Sequence, residues 1–299
     1  MCGLVGLLAK TPAISEQLGA LMRPMLEGMT QRGPDSAGFA IFNQSPDSKA
    51  WRINVLAPVE DYDWAPVSST LAAKRLGGKV GLNADGRHAI IELSGDPAPV
   101  LVCLQEEFPA LDVLSTGHAM DIYKDVGLPR EVAERYRLDE RTGTHAIGHT
   151  RMATESEITP RHAHPFVAGP DFCIVHNGSL SNPYSVRKRV QRRGIHFDSN
   201  NDTESAARFI QWRLGEGDDL ETAVTHGLRE LDGFYTLLMG DGKSMALVRD
   251  PFACKPAVVA ETDDYVAIAS EFRSLKHLPH INEASIYEPK PERVYVWKV

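Results

Sequence analysis

The sequence lacks the marks of membrane, secreted and nucleic-acid-binding proteins. No apolar run approaches the roughly 18 residues that a membrane-spanning helix needs. The apolar segment at 4–9 is too short for a signal-peptide core and has no basic region before it. The densest basic segment, at 187–193, has the pattern of one solvated helix face, and the net charge is −8. We therefore expect a cytoplasmic protein that binds neither membranes nor nucleic acid.

Cysteine is also scarce. The four cysteines, Cys2, Cys103, Cys173 and Cys254, are scattered along the 299 residues. They have neither the paired spacing of zinc ligands nor the density of a disulfide framework. Cys103 and Cys173 lie in apolar, strand-like segments, where free cysteine usually serves as a small core residue. The histidines show no metal-ligand spacing either, so we predict no metal site.

What the sequence does contain is a series of short apolar segments separated by turns. Such segments predict strands at 3–9, 39–42, 89–93, 100–104, 146–150, 172–175, 235–239, 245–249, 257–260, 265–269 and 293–297. Apolar residues at helical spacing predict helices at 14–30, 129–138, 185–193, 203–214 and 220–231. Many short strands with a few longer helices favour an α+β fold in which sheets pack on each other beneath helices.

Residues 43–141 are the least informative part of the chain. Turns are indicated at 77–78, 85–86 and 95–97, but no low-complexity linker marks a boundary. We therefore expect a single domain over residues 2–299, with an insertion-like region at about 43–141.

Cys2 offers chemistry that depends on its position. Removal of Met1 would leave Cys2 with a free α-amino group, so that one residue would carry both a nucleophile and a base. Reference pKa values of roughly 7.7–8.0 for an α-amine and roughly 8.5 for a thiol let both groups exchange a proton near neutral pH. Taken alone, Cys2 is better explained as a small residue near the start of the chain, so the interpretation depends on further motifs.

Five motifs occur in order along the chain. They are MCGLVG at 1–6, RGPDSAG at 32–38, GHTRMAT at 148–154, HNGSL at 176–180 and NDTE at 201–204. Together they resemble the signatures of the class II glutamine amidotransferases, which are N-terminal-nucleophile hydrolases. RDPF at 249–252 and ASE at 269–271 also fit, so the resemblance covers most of the chain outside residues 43–141. It implies a four-layer αββα sandwich of two antiparallel sheets.

The resemblance implies a role for each group that glutamine hydrolysis needs. Cys2 would supply the thiolate and form a γ-glutamyl thioester, while its α-amine would take the thiol proton and return it to departing ammonia. Asn177 and Gly178 would form the oxyanion hole with a side-chain amide and a backbone N–H. Without the other motifs, Asn177 and Gly178 would be interpreted as a tight hairpin turn.

Two charged residues suit the amino-acid end of glutamine. Arg151 resembles the family arginine that pairs with the α-carboxylate, a task that suits the guanidinium fork. Asp202 resembles the family aspartate that holds the α-ammonium, although it is also a reasonable N-cap for the helix predicted at 203–214. Because opposite charges suit a zwitterion, we favour substrate binding.

Four further residues are assigned supporting roles. Arg32 and Asp35 lie in a Gly-Pro turn and are expected to position the loop around the nucleophile. Thr154, in the third motif, is assigned to support as well. So is His164, since the free α-amine already fills the role of a base. Met152 is a departure, because many family members have an aromatic residue there, and this concerns how the glutamine pocket closes.

In this family the released ammonia reaches a second active site. The chain has no phosphoribosyl-binding signature, ATP-pyrophosphatase loop, sugar-isomerase domain, or flavin or iron–sulfur region, so we expect the acceptor chemistry on another polypeptide. Residues 149–156 and 120–127 resemble the amidotransferase subunit of split glutamate synthases, including the N-methylglutamate synthase type. That resemblance implies a hetero-oligomer with no cofactor on this chain and with flavin and iron–sulfur centres on partner subunits. Residues 43–141 are then a candidate for partner docking or channel lining.

Two other functions stay open at this point. An N-terminal cysteine amidase acting on another amide would use Cys2 but would not need the charge pair of Arg151 and Asp202. A non-catalytic subunit that senses glutamine or scaffolds a partner would have no use for an oxyanion site.

Overall fold

Three antiparallel sheets organise the chain in a computed structural model, which describes residues 2–43, 49–153 and 157–299. Within these residues the strands are β1 (Gly3–Ala9), β2 (Ser36–Phe42), β3 (Trp51–Leu56), β4 (Val80–Asp85), β5 (His88–Leu93), β6 (Asp112–Gly117), β7 (Met120–Val126), β8 (His145–Arg151), β9 (Phe166–Val167), β10 (Cys173–Leu180), β11 (Gly233–Gly240), β12 (Ser244–Arg249), β13 (Val258–Glu261), β14 (Tyr265–Ala269), β15 (Ser285–Tyr287) and β16 (Tyr295–Lys298).

The helices lie between these strands. They are α1 (Pro12–Glu16), α2 (Leu18–Glu27), α3 (Ala65–Lys74), α4 (Ala98–Glu107), α5 (Pro129–Arg135), α6 (Pro183–Gln191), α7 (Asp202–Gly215) and α8 (Leu220–Glu230), with short 3-10 turns at Leu138–Glu140, Pro160–His162, Phe272–Ser274 and Ile281–Glu283. No helix among the described residues is long and apolar enough to cross a membrane.

Two of the sheets form a sandwich. The large sheet has the order β15-β13-β14-β1-β8-β2-β7, and the second sheet has the order β16-β12-β11-β10-β9. Apolar side chains from both sheets fill the space between them, among them Leu4, Leu8, Ile147, Val175, Leu238 and Leu247. Helices α1, α2 and α5 cover the outer face of the large sheet, and α6, α7 and α8 cover that of the second. This confirms the predicted four-layer αββα sandwich.

The alternation of side chains along a strand explains why the central strand β1 is apolar throughout. Leu4 and Leu8 point into the space between the sheets, whereas Val5 and Leu7 point to the helices on the other face. Because both faces of this strand are buried, its sequence is a continuous apolar run rather than an alternating one.

The third sheet belongs to a separate lobe, which we define as residues 51–117. Its order is β4-β5-β3-β6, and α3 and α4 pack against it around their own apolar core. The lobe is inserted between two paired strands of the large sheet, because Phe42 of β2 is opposite Met120 of β7. The backbone N–H of Asn43 also donates to the carbonyl of Ala119 at 3.0 Å. The predicted insertion-like region at 43–141 is thus divided, since β7 and α5 belong to the sandwich.

The strand predicted at 100–104 is wrong. These residues lie within α4, where Val100, Cys103 and Leu104 are buried on one helical face. A short apolar run does not distinguish a strand from a buried helix, and Pro99 near the start of α4 favours the helix. Cys103 is therefore a core residue of a helix rather than of a strand.

Candidate active site

Cys2 lies next to the end of β8. It immediately precedes β1, and β1 pairs with β8 so that Gly3 is opposite Thr150. The Cys2 side chain is partly buried, and its Sγ lies 3.9 Å from the carbonyl oxygen of Met152. The register therefore brings Cys2 beside Arg151, the last residue of β8.

Arg32 holds the backbone around Cys2. Its Nε donates to the carbonyl of Cys2 at 2.8 Å, and its Nη1 forms an ion pair with Glu271 at 2.9 Å. Gly33 follows in the same turn, and a Cβ on it would fall 2.4 Å from the carbonyl carbon of Thr150. Only glycine allows this close approach, which brings the Arg32 turn against the end of β8.

Asp35 secures the segment that follows Arg151. Its carboxylate accepts the backbone N–H of Ala153 at 2.8 Å, and its own backbone N–H donates to the carbonyl of Arg151 at 3.1 Å. The predicted supporting residues Arg32 and Asp35 therefore both contact the backbone beside Cys2 or Arg151. Thr154, assigned to the same group, lies outside the described residues.

Arg151 is a nearly buried cation at this end of the large sheet. It is 5% exposed, and its Nη1 donates to the carbonyl of Glu157 at 3.1 Å. Burial lowers the pKa of the guanidinium, and the neighbouring charges of Cys2 and Asp35 oppose that shift. A guanidinium keeps its charge under any ordinary condition, so the site retains a fixed positive charge.

Asn177 and Gly178 lie within a strand. Both are part of β10, which runs to Leu180, with Asn177 opposite Thr236 of β11. The hairpin turn considered for this pair is therefore excluded. Gly178 has a φ of +144°, and a Cβ on it would lie 2.0 Å from the carbonyl oxygen of Phe234, so the position requires glycine.

The side-chain amide of Asn177 faces the large sheet. Alternation along β10 places Asn177 on the same side as Cys173 and Val175, which line the space between the two sheets. Asn177 is 3% exposed, and its Nδ2 has no hydrogen-bond partner among the described residues. An unsatisfied buried amide is costly, so this group is a candidate donor to an oxygen atom of a ligand.

Asp202 is the first residue of α7. One carboxylate oxygen accepts the backbone N–H of Leu180 at 2.9 Å, and the other lies 3.7 Å from Nδ1 of His176. The N-cap role considered for Asp202 is wrong, because the N-cap is Asn201, whose side chain accepts the N–H of Thr203 at 2.9 Å. Asp202 thus keeps an acidic side chain, about a quarter exposed, at the end of β10.

Three buried imidazoles and one hydroxyl connect these elements; we call His149, His164, His176 and Thr203 the histidine cluster. His149 Nε2 donates to the carbonyl of His176 at 2.9 Å, and its ring stacks on His164 at 4.1 Å between centroids. Thr203 Oγ1 lies 3.0 Å from His164 Nε2 and 2.9 Å from His176 Nδ1. The cluster joins β8 of the large sheet to β10 and α7.

Burial disfavours the charged form of the imidazoles in the histidine cluster. Burial lowers the pKa of His149 to about 3, lowers that of His164 well below its ordinary value, and also lowers that of His176. From the sequence we predicted a supporting role for His164 but none for Thr203. The only available signal was the position of Thr203 directly after Asp202 in the fifth motif.

The site residues therefore form two groups. Cys2, Arg32, Asp35 and Arg151 meet at one end of the large sheet, and Asn177, Gly178 and Asp202 lie along β10 and the start of α7. Strand β10 packs against β1 and β8, and the bond from His149 to His176 crosses between the sheets. Among the described residues, no three His, Cys, Asp or Glu side chains are arranged to hold a metal ion.

Comparisons with known proteins agree on one family. Residues 149–277 match the family described as a glutamine amidotransferase domain. The chain is 43% identical to the glutamine amidotransferase-like protein GlxB of Rhizobium meliloti (strain 1021), over 99% of this chain and 98% of that protein. It is 32% identical to a putative glutamine amidotransferase of Methanothermobacter thermautotrophicus (strain Delta H), over 99% of each.

A solved structure has a similar fold. It is the glutamine phosphoribosylpyrophosphate amidotransferase from B. subtilis complexed with ADP and GMP, with a TM-score of 0.62 and 19% identity. The likeness covers 99% of this chain and 47% of that chain.

Proposed function

The chain belongs to the class II glutamine amidotransferases, and we propose that it uses Cys2 to hydrolyse the side-chain amide of glutamine and passes the ammonia to a partner synthase. One observation carries the proposal. Cys2 lies beside the buried cation Arg151, on strands that pack against β10, where Asn177 turns an unpartnered amide toward the large sheet. The nucleophile and the cation share one end of the large sheet, and the strand that carries the hydrogen-bond donor packs against it, which supports the proposal.

Glutamine binds through the two charges of its amino-acid end. Arg151 receives the α-carboxylate, because a guanidinium can donate two parallel hydrogen bonds to one carboxylate. Asp202 receives the α-ammonium, and its carboxylate is already oriented by the N–H of Leu180. The other end of the substrate then extends toward Cys2.

The reaction starts from a chain whose Met1 has been removed. The free α-amine of Cys2 accepts the thiol proton, and the sulfur attacks the amide carbon of glutamine. The resulting tetrahedral intermediate collapses as the carbon–nitrogen bond breaks, and the proton held by the amine passes to the departing nitrogen, which leaves as ammonia. Water then attacks the γ-glutamyl thioester, a proton returns to the sulfur, and glutamate is released.

The negative charge that develops on the amide oxygen needs donors. Asn177 Nδ2 and the backbone N–H of Gly178 supply them from the same strand. Loss of one such donor typically costs about 2.7–4 kcal/mol of transition-state stabilisation. Because Nδ2 is buried, its hydrogen bond to the oxygen would form away from bulk water, where such a bond is strong.

The decisive experiment measures ammonia release from glutamine by the full chain and by Cys2→Ala. Loss of turnover in Cys2→Ala, together with unchanged turnover in Cys103→Ala, supports the proposal, because Cys103 lies in the separate core of the lobe. Mass spectrometry of the active protein must show that Met1 is absent. Turnover of other amides but not of glutamine would favour the amidase alternative, and glutamine binding without turnover would favour a sensor.

The acceptor of the ammonia lies on partner subunits of the glutamate synthase or N-methylglutamate synthase type. Two observations support this part of the proposal: the motifs resemble stand-alone amidotransferase subunits, and two relatives match over almost their whole length. The flavin and iron–sulfur centres then belong to the partners, and this chain needs no cofactor of its own. Purification of the complex and absorbance spectra of each subunit test this assignment.

The lobe is the docking element for the partner. The N–H of Asn43 donates to the carbonyl of Ala119 at its base, so a short turn can join β2 to β7 in its place. Replacing residues 44–118 with a two-residue Asn-Gly turn should preserve glutaminase activity and abolish assembly with the partner. Unchanged assembly would eliminate the lobe as the docking element.

A further inference from the structure

Three residues of the histidine cluster lie on three different elements, and each of these elements also carries a proposed site residue. His149 precedes Arg151 by two residues on β8, His176 directly precedes Asn177 on β10, and Thr203 directly follows Asp202 on α7. The hydrogen bonds that join the cluster therefore set the separations between these three elements.

Thr203 is the junction of the cluster. Its Oγ1 lies within 3.0 Å of one nitrogen of His164 and of one nitrogen of His176. One hydroxyl hydrogen cannot be donated to two acceptors, so at least one of these imidazoles must donate to the hydroxyl oxygen. Because His149 donates from Nε2 to a carbonyl, its tautomer is fixed as well.

The cluster is buried, and one further polar group lies close to it: Asp202 Oδ1 is 3.5 Å from Thr203 Oγ1 and 3.7 Å from His176 Nδ1. His149 Nδ1, His164 Nδ1 and His176 Nε2 have no hydrogen-bond partner among the described residues. Loss of the Thr203 hydroxyl would remove one of the few hydrogen bonds that orient His164 and His176. Burial disfavours the charged form of all three rings, as their lowered pKa values indicate.

We propose that Thr203 is a positioning residue whose hydroxyl, through His164 and His176, fixes the oxyanion amide relative to the groups that bind the amino-acid end of glutamine. This inference rests on the proposed glutaminase function and adds a residue to which no role in the reaction was assigned. The Thr203 side chain is buried, and its hydroxyl contacts other side chains rather than Cys2. It acts on Asn177 through His176, and on Asp202 as its neighbour at the start of α7, where the hydroxyl lies 3.5 Å from Asp202 Oδ1.

Small displacements matter at such a site. A misplacement of about 1 Å can lower a rate about 100-fold, because the donors must meet the oxygen of the transition state rather than that of the substrate. We therefore expect Thr203→Val, which keeps the shape but removes the hydroxyl, to lower kcat/KM for glutamine by about 10–100-fold. Both kcat and KM should change, because the oxyanion amide and the ammonium-binding carboxylate are both displaced.

The chain offers a matched control. Thr144 Oγ1 lies 3.0 Å from Nδ1 of the buried His145, at the other end of β8 and about 20 Å from Arg151 along an extended strand. Thr144→Val therefore also removes a threonine hydroxyl from a buried imidazole, but far from the site. Thr203→Ser keeps the hydroxyl. Its kcat/KM should therefore stay within about threefold of the wild-type value, a much smaller change than a displaced donor would cause.

The experiment combines steady-state kinetics with nitrogen NMR of histidine-labelled full-length chain. Thr203→Val should shift the imidazole signals of His164 and His176 but not that of His145, and Thr144→Val should do the reverse. Unshifted signals of His164 and His176 in Thr203→Val would overturn the inference. So would shifted signals with unchanged kcat/KM, or an equal loss of kcat/KM in Thr144→Val.

The kinetics also separate the two proposals. A folded wild-type chain, free of Met1, that does not hydrolyse glutamine with or without partner overturns the proposed function, and this inference falls with it. An active wild type with an equally active Thr203→Val overturns the positioning role alone.

Discussion

The large sheet makes two contacts of opposite character. Its inner face meets the second sheet through apolar side chains such as Leu8, Ile147 and Leu238, each at most 1% exposed. Its edge strand β7 meets the lobe through polar groups instead. Asp121 receives two hydrogen bonds from Arg52, at 2.8 and 2.9 Å, and both side chains are nearly buried.

The polar contact extends along β7. The amide of Asn54 exchanges hydrogen bonds with the backbone of Met120 and Ile122, and His88 Nε2 donates to the carbonyl of Ile122 at 3.0 Å. At the end of the strand, Asp125 lies 3.3 Å from Arg87 of the lobe. The lobe thus has its own apolar core and is joined to the sandwich by directional bonds.

This difference indicates how each contact can fail. Apolar packing contributes free energy in proportion to the area buried, and it depends little on any single orientation. A buried ion pair contributes less net free energy than apolar packing, but removal of one partner leaves the other charge buried and is strongly destabilising. We therefore expect the sandwich to unfold as a unit and the lobe to detach when one polar partner is removed.

The largest effect should follow from Asp121→Ala. It leaves the Arg52 guanidinium buried against the sandwich with only the half-exposed Glu92 nearby, and breaking a buried pair in this way typically costs about 3–5 kcal/mol. Hydrogen exchange should show faster opening of the lobe and β7 while the rest of the sandwich keeps its protection. The double variant Arg52→Met with Asp121→Leu should recover most of the loss. Equal protection in the wild type and Asp121→Ala would contradict this view of the contact.

A slightly smaller effect is expected from Leu238→Ala, between the two sheets. A cavity at this fully buried position should lower the free energy of unfolding by about 2–5 kcal/mol. Urea titrations followed by several probes of the sandwich should shift together. Ile91→Ala is the matched change in the core of the lobe and should reduce protection only there. A shift confined to one sheet of the sandwich in Leu238→Ala would argue against its unfolding as a unit.

The smallest effect, counted per pH unit and per histidine, is the loss of folding stability in acid. Burial lowers the pKa of His145 and His149 in the sandwich to about 3 and that of His88 at the lobe contact to about 4. The unfolded chain binds these protons near pH 6.5, so stability is full above that pH and is lost as the pH falls toward the folded values. Each such histidine contributes a slope of about 1.4 kcal/mol per pH unit in that window.

Urea midpoints between pH 7.5 and 4.5 measure this slope. His145→Gln removes one titrating group and should reduce the slope by about one proton, whatever its effect on stability at pH 7.5. Stability that stays constant down to pH 5 would show that these imidazoles are not held neutral in the folded chain.

The sequence allowed the sandwich to be predicted but not the lobe. Strands such as β1, β11 and β14 have apolar runs bounded by turns, and the order of the motifs identified the family and hence the layers. The lobe has no such motif, and its helix α4 begins with an apolar run that is equally compatible with a strand. Periodicity cannot decide over so few residues, so the assignment needed tertiary packing.

The site residues also divide into those that the sequence predicts and one that it does not. Chemistry and resemblance singled out Cys2, Arg151, Asn177 and Asp202, because each residue type suits one task in amide hydrolysis. Thr203 could not be found in this way. Its importance arises from contacts with two histidines that lie 27 and 39 residues away in the sequence.

Because the four cysteines differ in exposure, thiol labelling can be used to follow access to Cys2. Cys103 and Cys173 are enclosed, and Cys254 is exposed. A Cys254→Ser chain therefore presents to alkylating reagents a single reachable thiol, at Cys2. The rate at which a small electrophile labels that thiol then reports, in real time and without any coupled assay, whether a molecule added to the protein covers Cys2.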